Sequence, residues 1–336
     1  MSVRRLGAAV VGCGIHGEVH ARAYASDPRV DLVSVWSRRR ERAGAVAAKY
    51  GAQAVDSLDQ IASDQRVHLV SIATPDFAHT EPSLAMLAAG KHLLVEKPMA
   101  TNSADCLRMI EAERAAGVHL MVNFHNRWHP PLAKAKDLIV SGAIGAPVSG
   151  YFRLSDRIEV ATELLSWAGR SGPEWFLLPH TVDLARWLTG RNANWVYAVA
   201  SEGVLSARGI PARDVVQVQA DFDGAICSFE SSWILPRSWP GIIDFQVQIQ
   251  GETGRIDIAA DQEQIRVSGD VYRTPLVLDF VTEEQPVRHF VDCVVEGRQP
   301  VCTGEDGLAV TRIIEAAVQS IESGRPVDLG SAGAGG

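Results

Sequence analysis

Three glycines near the N-terminus have a spacing that suits the binding of a phosphate group. The stretch VVGCGIHGEVH places Gly12, Gly14 and Gly17 in the pattern G-x-G-x-x-G, between an apolar run and a helical pattern. The first glycine allows a tight turn, the second lets the backbone approach a pyrophosphate, and the third permits close helix packing. The pattern predicts a dinucleotide site that includes the loop residues Ile15 and His16. A glycine-rich turn without a ligand is the alternative.

The residues at the end of the second predicted strand indicate which dinucleotide binds. A site for NAD usually carries an acidic side chain there, which hydrogen-bonds the ribose 2′-hydroxyl. This sequence has Ser37, Arg38 and Arg39 instead. A hydroxyl and guanidinium groups suit a 2′-phosphate, because arginine binds phosphate oxygens through two donors. NADP is therefore the predicted cofactor. NAD is the alternative, in which Arg38 stacks on adenine or faces solvent.

A pair of charged residues follows the apolar run HLLV at residues 92–95. Glu96 and Lys97 come directly after it, where burying charges is costly unless they serve a purpose. Ligands bind at the carboxyl ends of parallel strands, where a lysine can donate a hydrogen bond to a substrate oxygen. A plain interdomain salt bridge is the alternative.

One histidine stands inside the helical pattern EWFLLPHTVDLARWLTG at residues 174–190. In a continuous helix, Phe176, His180 and Asp183 lie on one side, at spacings of four and three. Pro179 kinks such a helix just before His180, because it removes a backbone hydrogen bond. His180 is a candidate proton acceptor, and a packed histidine is the alternative.

A doubly wound α/β domain is predicted to position the first groups. Short apolar runs alternate with helical patterns, as in a parallel sheet covered on both faces. The predicted strands are residues 6–12, 30–37, 67–74, 91–97 and 118–124. This domain spans residues 1–124.

The rest of the chain has the period-two alternation of an antiparallel sheet, with some covering helices. The alternating segments are VVQVQADF, AICSFESSWIL, DFQVQIQG and RIDIAA. Asp223 and Gly224 separate the first two and predict a hairpin, because both tolerate positive φ. The predicted second, α+β domain spans residues 125–329, and residues 330–336 form a flexible tail.

Composition excludes several classes of protein. The chain has 336 residues and a formal net charge of −8, without a long Lys/Arg block, so nucleic acid is not an expected partner. Its five cysteines form no C-x-x-C, which predicts neither a disulfide framework nor a zinc site and fits a reducing cytoplasm. No stretch approaches the roughly 20 apolar residues of a membrane span.

Several motifs in combination resemble those of the Gfo/Idh/MocA family, which contains glucose-fructose oxidoreductase-like and inositol dehydrogenase-like enzymes. They are the glycine loop, ATPDFAH at 73–79, VEKPMA at 95–100, NFHNRWHPPLAKAKDLIVSGAIG at 123–145 and HTVDLARWLTG at 180–190. The resemblance implies a Rossmann domain followed by an open-faced, mostly antiparallel sheet domain. It also implies that nicotinamide and substrate lie in the cleft between the two domains.

The resemblance assigns roles to individual residues. It implies that Lys97 contacts both cofactor and substrate and that Glu96 lies near the nicotinamide. It places Thr74, Pro75 and His79 along the dinucleotide.

The resemblance also implies an aspartate four residues before the catalytic histidine, where this sequence has Phe176. Asp183 is then a candidate for the orienting carboxylate, and Glu174 is a weaker one. Alternatively, His180 works with Lys97 alone.

The segment after the last Rossmann strand suggests a polyhydroxylated substrate. Asn123, His125 and Arg127 supply three hydrogen-bonding side chains within five residues. Trp167, with Trp128 and Trp175, can stack on the apolar face of a sugar ring. Packing between domains is an equally good explanation for any one of them.

The predicted function is hydride transfer between NAD(P) and a secondary hydroxyl or keto group of a sugar, cyclitol or related polyol, without a metal. Alternatives on the same scaffold are an aldehyde, imine or dihydrodiol reductase and an oxidation-initiated glycoside cleavage. A ligand sensor that lost catalysis is an alternative of another class. An open-faced sheet needs cover, so a homodimer or homotetramer through that face is expected.

Overall fold

The computed structural model describes residues 5–259, 264–275 and 283–330. The chain divides into two compact units, and the first contains the chain up to His125. Its elements in chain order are β1 (Leu6–Val11), α1 (Ile15–Ser26), β2 (Val30–Trp36), α2 (Arg40–Tyr50), β3 (Gln53–Ala54), α3 (Leu58–Ser63), β4 (Val67–Ile72), α4 (Thr80–Ala88), β5 (His92–Glu96), α5 (Ser103–Ala116) and β6 (Leu120–Asn123).

The strands of the first unit form a parallel sheet in the order β3-β2-β1-β4-β5-β6. The apolar centres of β1, β4 and β5 are fully buried, as expected for a sheet covered on both faces. The predicted doubly wound domain is thus confirmed. Sequence reasoning missed β3, because two exposed residues carry no apolar pattern.

The second unit begins at Asn126 and is built around a larger sheet. The remaining elements of the chain are α6 (Pro130–Val140), β7 (Pro147–Arg157), α7 (Pro173–Phe176), α8 (Leu178–Thr189), β8 (Trp195–Ser201), β9 (Val215–Phe222), β10 (Ala225–Leu235), β11 (Ile243–Gly251), β12 (Arg255–Ala259), β13 (Gln264–Ser268), α9 (Gln285–Glu296), α10 (Gly304–Ser323) and β14 (Val327–Asp328).

The sheet of the second unit is mostly antiparallel, in agreement with the prediction. Its order is β13-β12-β11-β7-β10-β9-β8-β14, and only the β7–β10 pair is parallel among the pairs in the described residues. The turn between β9 and β10 is the predicted hairpin, with φ of 50° at Asp223 and 88° at Gly224. Positive φ at both central residues matches the twist of the flanking strands.

The two faces of this sheet differ in what covers them. Helix α8 packs against β7 and β10 on one face, where Phe152 and Phe229 stack with ring centroids 5.3 Å apart. On the other face, Tyr197, Val199 and Ile226 are exposed. That face also carries the polar side chains of Gln217, Gln219 and Glu230 on β9 and β10.

The domain boundary differs from the prediction in one segment. The described residues 283–308 belong to the first unit, although the sequence analysis assigned them to the second domain. Glu284 accepts a 2.6 Å hydrogen bond from Arg22, and Asp292 accepts one of 2.7 Å from Arg29. The amide of Val122 donates to the carbonyl of Cys302, at 3.0 Å. Ion pairs between residues so distant in sequence leave no local signal, which explains the error.

Glu113 on α5 is a carboxyl whose environment disfavours its charge. Its Oε1 accepts the amide of Leu120 at 2.9 Å. Burial, reinforced by the negative charge of Glu305, raises the pKa of Glu113 to about 7. The folded state therefore holds this proton more tightly than the unfolded state, so folding stability falls as the pH rises from about 4.5 to about 7.

We predict that Glu113→Gln stabilises the protein at pH 8, because glutamine keeps the acceptor for the Leu120 amide and removes the buried charge. For a fully buried group with this pKa shift, removing the charge would raise the free energy of unfolding by about 3 kcal/mol. Solvent screening reduces the expected gain to about 1–2 kcal/mol. The gain should vanish near pH 4.5. Denaturant unfolding at both pH values measures it. The exposed Glu111→Gln on the same helix is the control, and equal effects of both variants at pH 8 would contradict the prediction.

Candidate functional site

The turn between β1 and α1 is packed too closely to admit a side chain at two of its three glycines. Gly12 has φ of 101°, and a Cβ there would lie 2.4 Å from the carbonyl oxygen of Ala73. A Cβ on Gly17 would lie 1.7 Å from the carbonyl oxygen of Gly12. Both positions need glycine, because no side-chain atom fits at such distances. The turn thus lies directly against the end of β4, and α1 lies directly against the turn.

Gly14 differs from the other two glycines, because a Cβ on it would meet no atom within 4 Å. It is the N-cap of α1, and Ile15 and His16 after it are exposed. The first N–H groups of a helix lack partners within the helix and attract anions. The loop therefore fits the pyrophosphate of a dinucleotide, with the backbone at Gly14 open to it.

The first residues after β2 are a serine and three arginines, followed by Glu41. Ser37 is half-buried and Arg38 is exposed. Arg40 forms an ion pair with Asp56, with 2.8 Å between Nη1 and Oδ1. Asp56 is thus held by Arg40, and a 2′-phosphate at this edge stays a prediction.

His79 makes two buried contacts within the protein. Its ring is only 1% exposed, with Nδ1 2.7 Å from the carbonyl oxygen of Pro98 and Nε2 2.9 Å from that of Thr74. Both nitrogens are used within the protein, so the ring connects the loop after β4 to the chain after β5. Thr74, whose hydroxyl donates to the carbonyl of Ala78 at 2.8 Å, and Pro75 are partly accessible. Cofactor contact by His79, Thr74 and Pro75 stays a prediction.

Glu96 ends β5 and Lys97 follows it, and both residues are 5% exposed. The Lys97–Pro98 peptide bond is cis. Oε1 of Glu96 accepts hydrogen bonds from Nε2 of His20 at 3.0 Å and from Nδ2 of Asn123 at 2.7 Å. Asn123, which we predicted to bind substrate, is therefore engaged with Glu96 and is 3% exposed.

Histidines surround the Glu96 carboxylate. The rings of His16 and His125 stack with their centroids 6.3 Å apart. Burial alone would raise the pKa of Glu96, but the charges of His16, His20 and His125 and the hydrogen bond from His20 lower it well below its ordinary value. Glu96 is therefore ionised at neutral pH.

In the second unit, a helix break precedes His180 as predicted. Helix α7 ends at Phe176, and α8 starts at Leu178 with Pro179 in its first turn. Proline is tolerated there, because the first N–H groups of a helix have no partner within it. His180 is 8% exposed, and its Nδ1 lies 3.4 Å from Nδ2 of Asn126.

Phe176 belongs to a group of aromatic side chains. Its ring centroid lies 5.8 Å from that of Trp167, in an edge contact, and 5.7 Å from that of Trp233. Trp233 is fully buried. Trp167, predicted to stack on a sugar, has one edge in this group and is half-buried, so stacking stays a prediction.

Both carboxylates considered for orienting His180 are paired with arginines. Asp183 accepts from Nε of Arg127 at 2.9 Å and from one Nη at 2.6 Å, in a buried bidentate pair. Glu174 is buried and pairs with Arg213. The pair fixes the two side chains to each other, and substrate binding by Arg127 stays a prediction. A direct catalytic role of Asp183 stays a prediction.

The sequence analysis missed several residues that these sites use: His20, Asn126, Arg213 and Trp233. His20 had a local signal, because it follows His16 by four residues and therefore shares its face of α1. The others meet their partners across long stretches of sequence and had none.

The described residues contain no group of three or more His, Cys, Asp or Glu side chains that could hold a metal ion. Within the same residues, no helix combines the length and apolar character needed to cross a membrane. All five cysteines are buried and none is in a disulfide: Cys13, Cys106, Cys227, Cys293 and Cys302.

Sequence profiles of one protein family match both parts of the chain. The profile described as the GFO/IDH/MocA oxidoreductase family, NAD-binding Rossmann fold, matches residues 6–124. The profile of the GFO/IDH/MocA C-terminal domain matches residues 132–257.

Two curated proteins and a solved structure illustrate the similarity. Inositol 2-dehydrogenase of Acidothermus cellulolyticus is 29% identical, over 94% of this chain and 92% of that protein. The 4-carboxy-2-hydroxymuconate-6-semialdehyde dehydrogenase of Sphingobium sp. is 32% identical, over 87% and 91% respectively. A levoglucosan dehydrogenase in complex with NADH and levoglucosan has a TM-score of 0.87 and 25% identity, covering 97% of this chain and 100% of that one.

The Arg127–Asp183 pair gives a stability prediction. Asp183→Asn leaves a buried guanidinium without its counter-charge, so the free energy of unfolding should fall by about 3 kcal/mol. Asp56→Asn is the matched control, because Asp56 and Arg40 have side chains 58% and 81% exposed. An exposed pair contributes under about 1 kcal/mol. Urea denaturation measures both variants, and a loss at Asp183 no larger than at Asp56 would contradict the prediction.

Proposed function

The chain belongs to the GFO/IDH/MocA oxidoreductase family, and we propose that Lys97 and His180 carry its chemistry. It is an NAD(P)-dependent oxidoreductase that transfers a hydride between the nicotinamide and a hydroxyl or keto group of a sugar, cyclitol or related polyol. The observation that supports this function best is the glycine turn with its open backbone at Gly14, in a chain that matches the family over both domains.

The bound nicotinamide supplies the hydride acceptor or donor, and the protein supplies the groups that handle the proton. Lys97, at the carboxyl end of β5, polarises the substrate oxygen. His180, at the start of α8, takes the hydroxyl proton during oxidation and returns it during reduction. Asn126 lies beside Nδ1 of His180 and limits the rotation of the ring.

Substituting either proposed catalytic residue should remove turnover while leaving cofactor binding largely intact. We expect Lys97→Ala and His180→Ala to lower kcat by about a hundredfold or more, the usual effect of losing a proton-transfer group. The affinity for the dinucleotide should change by less than about threefold, because neither side chain supplies the predicted phosphate contacts. Reduced-nicotinamide absorbance measures turnover, and fluorescence titration measures binding.

The substrates for this assay are a panel of sugars and polyols, including myo-inositol and levoglucosan. Lys134→Ala is the control, since Lys134 is exposed on α6. Turnover by Lys97→Ala equal to that of the control would exclude the proposed role of Lys97. Dinucleotide binding without turnover of any substrate by the unaltered protein would favour a ligand sensor.

The proposed cofactor is NADP, and the Ser37–Arg38 edge supports it. The solved levoglucosan dehydrogenase contains NADH, so relatives of this chain include an NAD(H)-binding protein. The preference of this chain therefore has to be tested on its own residues.

We predict that Arg38→Ala weakens NADPH binding by about tenfold and changes NADH binding by less than about twofold. The reason is that a guanidinium contributes about one charge-assisted contact to a 2′-phosphate, which NADH lacks. Arg42→Ala, also exposed and basic, is the control. Fluorescence titration with both reduced dinucleotides gives the affinities. Equal losses for NADPH and NADH would instead indicate that Arg38 stacks on adenine.

An aldehyde substrate is the second candidate within the enzyme class. The semialdehyde dehydrogenase of Sphingobium is 32% identical to this chain. Phe176, in its aromatic group with Trp167 and Trp233, also makes one part of the second unit less polar than a carboxylate would. Unsaturated semialdehydes therefore belong in the substrate panel beside the polyols.

We also propose a homodimer or homotetramer that covers the open face of the second sheet. Tyr197, Val199 and Ile226 are exposed on this face beside the polar side chains of β9 and β10. A mixture of apolar and polar groups is typical of protein interfaces. A reducing cytoplasm is the proposed location, and five buried cysteines outside any disulfide support it.

A further inference from the structure

We propose that Asn126 is the positioning residue of His180, and that its side-chain amide determines which nitrogen of that ring carries the proton. The inference rests on the proposed catalytic role of His180. It concerns a property that this role leaves open, namely how one ring serves as proton acceptor in oxidation and as proton donor in reduction.

The amide of Asn126 and the ring of His180 meet within the second unit. Nδ2 of Asn126 lies 3.4 Å from Nδ1 of His180, at the long end of the hydrogen-bond range. Asn126 is half-buried and His180 is 8% exposed, so little water competes for this contact. Catalytic hydrogen bonds are often long without substrate and tighten when it binds. The amide is therefore placed to fix the state of Nδ1.

The backbone of Asn126 is held on both sides of the side chain. The next residue, Arg127, donates to both carboxylate oxygens of Asp183 at 2.9 and 2.6 Å, and the two side chains are 7% and 1% exposed. The amide of His129 donates to the carbonyl oxygen of Asn126 at 3.0 Å. The freedom that remains to Asn126 is thus mainly rotation of its terminal amide, a torsion with two equivalent preferences.

The amide can pair with either state of Nδ1. In the orientation of the structure, Nδ2 can only donate, so Nδ1 accepts and the proton of a neutral ring is on Nε2. After half a turn of the amide, Oδ1 accepts from a protonated Nδ1, and Nε2 then carries the lone pair. The two ends of an amide have nearly the same shape. Asn126 therefore supports both tautomers of His180 without any change in the packing around it.

This pairing assigns proton transfer with the substrate to Nε2, because Nδ1 belongs to the contact with Asn126. In oxidation, Nε2 takes the proton of the substrate hydroxyl while the carbon of that hydroxyl loses its hydride, and Nδ1–H of the resulting cation donates to Oδ1. In reduction, Nε2 returns the proton to the carbonyl oxygen. An amide has no charge and does not favour the cation, as a carboxylate would. The contact therefore serves both directions of the reaction.

Charged side chains on the elements packed against α8 also act on His180. They are the Arg127–Asp183 pair, Glu174 of α7 in its pair with Arg213, Lys136 of α6, which is hydrogen-bonded to the backbone of α8, and Asp156 of β7, which shares the face of Phe152 that α8 covers. Glu230 of β10 lies on the opposite face of the sheet. Substitutions at residue 126 leave all of these groups and Lys97 unchanged. A shift in the titration of His180 between variants therefore reports on the amide.

The test compares Asn126→Asp and Asn126→Leu in the reduced-nicotinamide assay over a range of pH. Aspartate has the same shape but only accepts, so it fixes a proton on Nδ1 and favours the cation. We expect it to raise the pH of half-maximal kcat in oxidation by about one unit. Leucine leaves Nδ1 without this partner, and we expect kcat to fall by about tenfold while KM changes by less than about threefold.

Asn192→Asp is the matched control. Asn192 is exposed in the same unit and accepts hydrogen bonds from Arg186. The substitution adds the same charge away from His180 and should leave both kcat and its pH profile unchanged.

Magnetic resonance of the imidazole nitrogens follows the titration of His180 without a substrate. The signal of His180 is the one that disappears in His180→Ala. We expect Asn126→Asp to raise the midpoint of this titration by about one unit, and Asn192→Asp to leave it in place.

An unchanged midpoint in Asn126→Asp would overturn the proposal. Equal losses of kcat in the aspartate and leucine variants, without a shift of the pH profile, would show a merely structural role and overturn it as well. If Asn126→Asp does not fold, Asn126→Leu decides, and an unchanged kcat would contradict the assigned role. Full turnover by His180→Ala would instead refute the proposed function of His180, and with it this inference. Loss of turnover in His180→Ala with an unshifted Asn126→Asp would remove only the role of Asn126.

Discussion

The close approach of α1 to the turn that precedes it determines much of the first unit. At Gly17 a single added carbon would lie 1.7 Å from the carbonyl oxygen of Gly12. A side chain at this position would therefore push α1 away from the sheet. This contact brings the N-terminus of α1 to the carboxyl edge of the strands. It also brings His20, in the second turn of α1, within 3.0 Å of Glu96 at the end of β5. One steric constraint thereby positions both the anion-binding loop and the buried carboxylate.

In the second unit, the boundary between two helices positions His180. Helix α7 ends at Phe176 and α8 begins at Leu178, so Pro179 stands in the first turn of α8, where a helix needs no donor. His180 is thus held in the first turn of α8. Three residues later, Asp183 binds Arg127 through both carboxylate oxygens. This pair connects α8 to the chain that precedes α6, so His180 and its neighbour Asn126 lie on two segments that are fixed to each other.

The parts that sequence reasoning predicted depend on local chemistry. The glycine turn, the hairpin at Asp223 and Gly224 and the break before His180 each follow from a few adjacent residues. The parts it missed depend on pairing between residues distant in the chain. Glu174 was considered as an orienting carboxylate because it precedes His180 in sequence, but Arg213 meets it in the fold. Residues 283–308 were assigned to the wrong unit for the same reason, since only the fold shows that Glu284 meets Arg22.

Buried carboxylates in both units are held by hydrogen-bond donors, but the donors differ in kind. Asp183 and Glu174 in the second unit are each bonded to a guanidinium, as is Asp27 in the first unit. Glu96 is bonded instead to the side-chain amide of Asn123 and to the ring of His20, and both of these residues are buried. Burying a carboxylate is costly unless it is hydrogen-bonded. These two donors therefore allow β5 to end on a buried acid, directly before the lysine to which the family resemblance assigns a role in catalysis.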